Sequence, residues 1–108
     1  MVNKKRAIEN IAAYSIDEFI SKNNDRIIIL DVRSEREYLE GHIRNAINIP
    51  FDRVLKEEIN INNDKIVLVY CSRGGRSMRV AKLLSYKGFR VVNVIGGLKE
   101  YTGKNIIK

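Results

Sequence analysis

Three runs of apolar residues divide the chain into regular segments, at positions 27–30, 66–70 and 91–95. Runs of this length with little polar alternation are typical of strands that are buried on both faces, as in a parallel sheet covered by helices. Two shorter stretches, 10–13 and 46–49, also have strand character. The pattern of apolar positions therefore predicts about five strands.

Polar and charged segments with helical spacing alternate with these strands. Ser15 and Ser34 each precede a glutamate by three residues, which is the spacing of a capping box. We therefore expect one helix over 15–21 and a second from Ser34 to a stop at Gly41, since glycine is favoured at helix ends.

The remaining helices are predicted from apolar spacing and from glycines that end them. A short helix is expected over 52–58, a longer one over 77–87 that closes at Gly88, and a last turn from Gly97. Alternation of strands and helices predicts an α/β fold with a mainly parallel central sheet of about five strands and helices on both faces. In such sheets, ligands bind beyond the carboxyl ends of the strands.

Length and composition fit an ordinary globular domain. The chain has 108 residues, of which 44% are hydrophobic, so we expect a single domain over 1–108 with a packed core. No apolar stretch approaches the roughly 20 residues needed to cross a membrane. Acidic residues interrupt the N-terminal stretch where a signal peptide would have its apolar core, so the protein is expected to be cytoplasmic. The absence of a large apolar surface stripe favours a monomer.

The net charge of +7 raises the question of a nucleic-acid partner. The basic residues are interleaved with acidic ones, and neither an RNA-binding aromatic motif nor zinc-finger spacing is present, so we expect no nucleic-acid or membrane partner. A positive field would instead attract small anions. One cysteine excludes an internal disulfide, and no Cys and His cluster has metal-ligand spacing, so neither a metal nor a cofactor is expected.

The most informative residue is that single cysteine, Cys71. It follows the predicted strand 66–70 and precedes a small, basic, glycine-rich stretch that leads into the helix predicted at 77–87. The N-terminus of a helix carries unpaired N–H groups and a partial positive charge, which stabilise both a thiolate and a bound anion. Cys71 is therefore the candidate nucleophile, and the candidate substrate-binding residues are those of the loop that follows it: Ser72, Arg73, Gly74, Gly75, Arg76 and Ser77.

Each residue type in this loop suits the chemistry of a thiolate. The pair Gly74 and Gly75 would let consecutive N–H groups turn toward the sulfur, while Arg73 and Arg76 would add positive charge and hold an anionic substrate. No carboxylate is expected beside the loop, because a negative charge would raise the pKa of the thiol. The alternative is that Cys71 is an unreactive, structural residue at the end of a strand and that the glycines only form the turn between strand and helix.

The stretch 69–77 resembles the active-site loop of the rhodanese-like sulfurtransferases. Further resemblance follows in order and spacing: Leu-Asp-Val-Arg at 30–33, Glu-Tyr at 37–38, Gly-His-Ile at 41–43, and Ala-Ile-Asn-Ile-Pro at 46–50. The stretch 94–101 is similar to the C-terminal signature of the family. The resemblance runs from about residue 14 to residue 103. The chain departs from the family at Tyr101, where tryptophan is usual, and at Arg44-Asn45, which replaces a proline-glycine pair.

This resemblance implies a rhodanese-like fold and a two-step sulfur transfer. The Cys71 thiolate would take the outer sulfur of a small anionic donor such as thiosulfate, and the main-chain N–H groups of the loop would hold the resulting persulfide. An external thiol, a protein or cyanide would then accept the sulfur. Because the nucleophile is already ionised, no general base is required.

Several other residues have plausible roles. His42, the only histidine, is expected to be structural, with its ring bonded to backbone near the start of the strand 46–49. Asp31, at the end of a strand, is expected to tie loops together with Arg33. Tyr38 and Phe51 are expected to pack against the core, and whether Arg36 reaches the crevice stays open.

Three other functions remain as alternatives. A cysteine-dependent phosphatase or arsenate reductase also uses a thiolate and an arginine, but with five residues between them, whereas four separate Cys71 from Arg76. The tighter ring suits a single sulfur atom better than a tetrahedral oxyanion. The second alternative is a non-catalytic interaction module that binds a partner through its basic face. The third is a carrier that passes sulfur on with the same persulfide chemistry.

Overall fold

A computed structural model describes residues 6–57, 59–62 and 64–108. Its centre is a five-stranded sheet in which all paired strands are parallel, with the spatial order β1-β6-β5-β2-β4. The strands of this sheet are β1 (Ile8–Ala12), β2 (Ile27–Asp31), β4 (Ile47–Asn48), β5 (Ile66–Tyr70) and β6 (Arg90–Ile95). The short strands β3 (His42–Ile43) and β7 (Ile106–Ile107) form a separate antiparallel pair. The α/β fold with a parallel five-stranded sheet is as the sequence predicted.

Four α-helices connect the strands: α1 (Ile16–Asn23), α2 (Glu35–Glu40), α3 (Phe51–Lys56) and α4 (Gly75–Tyr86). In the part of the chain that the structure describes, three short 3₁₀ segments lie at Ala13–Ser15, Asn24–Arg26 and Leu98–Glu100. The last of these confirms the turn expected from Gly97. Of the predicted helix over 52–58, Glu58 lies outside the described residues.

The two capping boxes predicted from sequence have different outcomes. Ser34 caps α2 as expected: its Oγ accepts from the Glu37 N–H at 3.2 Å, and the Ser34 N–H donates to Glu37 Oε1 at 3.0 Å. The box at Ser15 is wrong, since the Ser15 side chain makes no capping hydrogen bond. Ser15 is the last residue of a 3₁₀ turn with φ −92° and ψ −2°, so its backbone is helical and not in the extended conformation of a capping residue.

Two apolar cores lie on opposite faces of the sheet because alternate side chains of each strand point to opposite sides. On one face, Val67 and Val69 pack with Leu84 of α4. On the other, Leu68 packs with Ile16 of α1, and both are fully buried. Burial of one such aliphatic side chain contributes roughly 2 kcal/mol. Helices therefore cover both faces, as predicted, and they leave the carboxyl edge of the sheet free for loops.

The central strand of the sheet is β5, and Cys71 is the first residue after it. Asp31 ends the neighbouring strand β2 and pairs in register with Tyr70. The two strand-end residues singled out from sequence therefore lie at the same edge. Among the described residues, no helix is long and apolar enough to span a membrane.

Candidate functional site

The sulfur of Cys71 is surrounded by hydrogen-bond donors of the loop that follows it. The N–H of Gly74 donates to Sγ over 3.0 Å, and the N–H of Ser77 donates over 3.3 Å. The hydroxyl oxygen of Ser77 lies 3.5 Å from Sγ. The side chain is 1% exposed and also touches the apolar core on the α4 side of the sheet. Cys71 is thus buried, but its sulfur faces polar hydrogens.

These contacts set the ionisation of the thiol. Burial raises the pKa of Cys71, while the contact with the Ser77 hydroxyl and hydrogen bonds from the N–H groups of Ser77, Gly74 and Arg73 lower it; the net effect is a pKa below the usual value. The donors outweigh burial because they are already oriented toward the sulfur when it becomes charged. The site is therefore suited to hold an anionic sulfur.

Only one of the two loop glycines is required by its backbone conformation. Gly74 has φ +111°, and a Cβ there would lie 3.3 Å from the backbone nitrogen of Gly96. Gly75 is the first residue of α4 and would have nothing within 4 Å of an added Cβ. The helix thus begins two residues before the predicted position, and of the two glycines only Gly74 has a backbone conformation that favours glycine.

A second segment holds the loop from outside. The N–H of Leu98 donates to the carbonyl oxygen of Cys71 at 2.8 Å, and the N–H of Lys99 donates to that of Ser72 at 3.0 Å. Each donor lies 27 residues after its acceptor in the chain, and sequence reasoning missed this contact with the loop. The glycine pair Gly96-Gly97 was the available signal, because consecutive glycines often mark a close approach of two backbones.

The two loop arginines differ in their surroundings. Arg73 is exposed and borders an open cavity of about 430 Å³, whose other lining residues are Arg33, Glu37, Ser72, Leu98 and Lys99. Arg76 borders an adjacent cavity of about 400 Å³, onto which Cys71 opens. Hydrogen bonding to Glu37 raises the pKa of Arg76, and the nearby charges of Glu37 and Cys71 raise it further. Both arginines therefore lie at the mouth of the site.

A carboxylate lies directly beside the loop, contrary to the sequence-based expectation. Glu37 Oε1 accepts from Arg76 Nη1 at 3.0 Å, and Glu37 Oε2 accepts from Arg76 Nη2 at 3.3 Å and from the Ser72 hydroxyl at 2.6 Å. The Arg76 contact is the main reason that the pKa of Glu37 falls to about 2. The expectation failed because Glu37 lies 35 residues before Ser72, and only the packing of α2 against the loop brings them together.

Asp31 forms the centre of a buried network below the site. Its fully buried carboxylate accepts from the Arg33 side chain at 2.8 and 3.1 Å and from the Tyr70 hydroxyl at 2.6 Å. Arg33 also donates to the carbonyl oxygen of Gly41, and the Tyr70 hydroxyl accepts from the N–H of Ile43. The predicted partnership of Asp31 and Arg33 is confirmed. The network connects β2 and β5 to the turn after α2.

His42 is structural, but not at the expected place. Its ring stacks on that of Tyr38 with 3.7 Å between centroids, and Nδ1 lies 2.8 Å from the Tyr38 carbonyl oxygen. A carbonyl can only accept, so Nδ1 carries the proton. The predicted bond to backbone near 46–49 is instead made by the Tyr38 hydroxyl, which donates to the Ala46 carbonyl oxygen.

The other expectations for this region are also settled. Tyr38 and Phe51 pack against the two cores, as predicted. The side chain of Arg36 is 90% exposed and lies 3.9 Å from Glu40 on its own helix. Arg36 therefore belongs to the solvated face of α2 and not to the crevice.

The turn at Arg44-Asn45 is formed by residues that differ from the proline-glycine pair usual in the family. Asn45 has φ +70°, in the left-handed region that favours glycine and that asparagine tolerates. The N–H of Ala46 donates to the carbonyl oxygen of Ile43 at 3.0 Å, which closes the turn. The N–H of Arg44 donates to the carbonyl oxygen of Asn105 at 2.7 Å, a bond that proline could not make.

Tyr101 makes use of the hydroxyl that distinguishes it from tryptophan. It donates to Asp17 Oδ1 at 2.5 Å and accepts from the N–H of Asn105 at 2.8 Å. Burial and the hydrogen bond to Asp17 raise the pKa of Tyr101 to about 12, so it stays protonated. The two departures from the family pattern therefore both serve to attach the C-terminal segment.

The fold and the loop together define the class: an α/β protein whose central strand delivers a cysteine into a ring of main-chain N–H groups at the start of a helix. The family follows from comparison with known proteins. The family described as Rhodanese-like domain matches residues 15–104. The chain belongs to this family.

Individual relatives agree with that assignment. The chain is 32% identical over 97 residues to the putative sulfurtransferase YtwF of Bacillus subtilis, a match that covers 90% of this chain and 93% of the relative. It is 35% identical over 85 residues to the thiosulfate sulfurtransferase GlpE of Coxiella burnetii, with 78% of each covered. The solved structure of a rhodanese-like domain protein from Staphylococcus aureus has a TM-score of 0.79 at 27% identity, covering 92% of this chain and 96% of that one.

Some curated relatives are considerably longer than this chain. The matched region spans only 28%, 26% and 53% of three of them. The same kind of domain thus also occurs within larger proteins.

Proposed function

We propose that the protein is a sulfurtransferase that carries a sulfane sulfur as a persulfide on Cys71. The observation that carries this proposal is the position of the sulfur, 3.0 and 3.3 Å from the amide nitrogens of Gly74 and Ser77. Oriented N–H donors stabilise negative charge on sulfur both before and after transfer. Relatives named as sulfurtransferases support the same reaction class.

In the first step, the Cys71 thiolate attacks the outer sulfur of a small anionic donor such as thiosulfate. A new S–S bond forms at Cys71, the S–S bond of the donor breaks, and sulfite leaves with the bonding electron pair. In the second step, an acceptor thiolate or cyanide attacks the outer sulfur of the persulfide, and the Cys71 thiolate departs. No proton is transferred in either step, so His42 has no catalytic part in this scheme.

Arg73 and Arg76 are proposed to hold the anionic donor and the leaving sulfite. Both border the cavity that opens onto Cys71. Gly74 and Ser77 would bind the transferred sulfur through their N–H groups. Ser72 and Gly75 are the other residues of the proposed substrate-binding loop. The acceptor must be external, because the sequence has no second cysteine that could resolve the persulfide. An external thiol or a protein is the partner that this chemistry implies.

Intact-mass spectrometry after mixing with thiosulfate tests the proposal. The wild type should gain one sulfur atom and lose it again on addition of cyanide, while Cys71→Ser should gain none. Retention of the fold by Cys71→Ser, checked by circular dichroism, makes the comparison valid. A wild type that gains no sulfur from thiosulfate or from an organic persulfide, or a serine variant that retains transfer, would overturn the proposal.

A parallel assay with an aryl phosphate separates this function from that of a cysteine phosphatase. Hydrolysis of the ester by the wild type without any sulfur loading would favour the phosphatase. Activity toward neither substrate, combined with binding of a partner that Cys71→Ser retains, would favour a non-catalytic interaction module.

A further inference from the structure

We propose that Glu37 sets the charge selectivity of the site by occupying the groups that would otherwise bind an anionic substrate. The inference rests on the proposed sulfur transfer and names the donor class that the site disfavours. With the Glu37 carboxylate in place, a donor with two negative charges, such as thiosulfate, binds less well than one with a single charge or none. Glu37 is thus a specificity-determining residue.

The contacts of Glu37 are those that a substrate anion would make. Its two oxygens face the two terminal nitrogens of Arg76 at 3.0 and 3.3 Å, the paired geometry in which guanidinium binds an oxyanion. The Ser72 hydroxyl adds a third hydrogen bond at 2.6 Å. All three residues border the cavity onto which Cys71 opens. A sulfonate-type group that approached Cys71 would have to share or displace this carboxylate.

The position of Glu37 is fixed from the opposite side by its own helix. Its Oε1 accepts from the N–H and the hydroxyl of Ser34 at 3.0 and 3.1 Å as part of the capping box of α2. The carboxylate is therefore held at the rim independently of Arg76. With a pKa of about 2 it stays ionised throughout the neutral range, so its charge is present whenever a substrate arrives.

The effect of Glu37 can be separated from the effects of the other charged groups at the rim of the cavity. Arg73 borders both cavities and Lys99 borders the neighbouring one; both are exposed cations, and neither forms an ion pair with Glu37. Glu40, on the same helix, is 68% exposed and lies 3.9 Å from Arg36, whereas the side-chain partners of Arg76 are Glu37 and Ser72. Removal of the charge at Glu40 therefore changes the net charge of the helix by the same amount without freeing Arg76, which makes it a matched control.

The decisive variant is Glu37→Gln, because glutamine also serves in a capping box but carries no charge. The kcat and KM are measured for thiosulfate, a dianion, and for benzenethiosulfonate, a monoanion that delivers its outer sulfur and leaves as sulfinate. We expect the KM for thiosulfate to fall about five-fold, as for loss of one partly exposed ion pair. The KM for benzenethiosulfonate should fall about two-fold at most. In Glu40→Gln, the ratio of the KM for thiosulfate to the KM for benzenethiosulfonate should stay at the wild-type value.

Alkylation of Cys71 gives a second measurement that does not require sulfur transfer. Iodoacetate carries one negative charge and iodoacetamide none, and both react with the thiolate. The rate of alkylation by iodoacetate divided by the rate of alkylation by iodoacetamide therefore reports the charge at the mouth of the site. Glu37→Gln should raise this ratio about three-fold, and Glu40→Gln should leave it unchanged. Glu37→Asp, whose shorter side chain draws the carboxylate back from Arg76, should raise it by less and serves if the glutamine variant does not fold.

The possible results separate this inference from the proposed function. If the wild type gains no sulfur but the alkylation ratio shifts as expected, the sulfur-transfer proposal fails and the charge selectivity stands. If sulfur loads normally but the KM ratio and the alkylation ratio both stay at wild-type values in Glu37→Gln, Glu37 has only a structural role in the loop and the inference is overturned. An equal shift in Glu40→Gln would also overturn it, since the effect would then be one of overall charge.

Discussion

Gly97 lies directly against the backbone of Ser72: a Cβ built on Gly97 would clash with both the carbonyl carbon and the carbonyl oxygen of Ser72. The hydrogen bonds from Leu98 to Cys71 and from Lys99 to Ser72 depend on this close approach. The segment after β6 therefore acts as a clamp on the cysteine loop. Gly97 also has φ +69°, which further favours glycine.

Substitution of Gly97 by alanine should displace the clamp. The contact with backbone cannot be relieved by a side-chain rotation, and left-handed backbone costs an alanine about 1–2 kcal/mol by itself. We expect Gly97→Ala to lower the free energy of unfolding by about 2–3 kcal/mol and to slow sulfur loading of Cys71 at least about ten-fold. Urea unfolding and time-resolved mass spectrometry measure the two effects.

Gly75→Ala is the control for stability in that experiment. An added Cβ meets nothing within 4 Å, and the residue is already helical, so its free energy of unfolding should stay the same or rise by up to about 1 kcal/mol. A loss of stability at Gly75 that equals the loss at Gly97 would contradict the clamp.

Ser77 should control the ionisation of Cys71. Loss of its hydroxyl in Ser77→Ala removes one of the groups that lower the pKa of the thiol, so that pKa should rise. The rate of alkylation by iodoacetamide as a function of pH measures it, and at neutral pH the variant should react about five-fold more slowly. Ser85→Ala is a matched control: Ser85 is equally buried on α4, and its hydroxyl likewise donates to a carbonyl three residues before it.

The lowered pKa of Cys71 also predicts the sign of a pH effect on stability. A thiol whose pKa is lower in the folded than in the unfolded state contributes stability in full above its unfolded value of 9.0, and loses it as the pH falls through the folded pKa. The difference in unfolding free energy between wild type and Cys71→Ala should therefore shift in favour of the wild type as the pH rises toward 9.0. A difference that does not change with pH would contradict a lowered pKa.

The buried network at Asp31 should respond differently to loss of charge and to loss of a hydroxyl. Asp31→Asn leaves the Arg33 guanidinium without its counter-charge in a buried site, which typically costs about 3–5 kcal/mol. Tyr70→Phe removes one hydrogen bond to Asp31 and leaves the Ile43 N–H unpaired, at about 1–3 kcal/mol. Denaturant unfolding should rank the variants in that order, and a larger loss for Tyr70→Phe would show that the ion pair is not the main support.

The turn at Arg44 offers a test of how the C-terminal segment is attached. Arg44→Pro restores the residue usual in the family but removes the N–H that bonds to the Asn105 carbonyl oxygen. We expect the free energy of unfolding to fall by about 1 kcal/mol and the amide hydrogens of β7 to exchange with solvent faster. Asn45→Gly, at the next position, keeps the left-handed turn and should leave exchange in β7 unchanged; equal exchange in both variants would contradict a role for the Arg44 bond.

The secondary structure was largely predictable because its signals are local. Uninterrupted apolar runs gave the buried strands, and the capping box at Ser34 was read correctly from spacing alone. The same spacing at Ser15 gave a wrong prediction, because Ser15 belongs to a 3₁₀ turn and does not cap the helix that follows. The start of α4 was misplaced because Gly75 is a poor helix former by propensity, whereas the tertiary structure holds its backbone in a helical turn.

The position of Cys71, its donors and the helix that follows it are determined by consecutive residues, and so the sequence by itself could indicate a stabilised thiolate. The surroundings of the Cys71 sulfur come from elsewhere in the chain: Glu37 lies 39 residues before Arg76, and the clamp at Gly97 belongs to a different strand connection. The order of strands in the sheet decides which loops meet, and strand order depends on long-range packing that no local pattern encodes. The position of the candidate nucleophile could therefore be predicted from the sequence, while the charge and the backbone that surround it were decided by the tertiary structure.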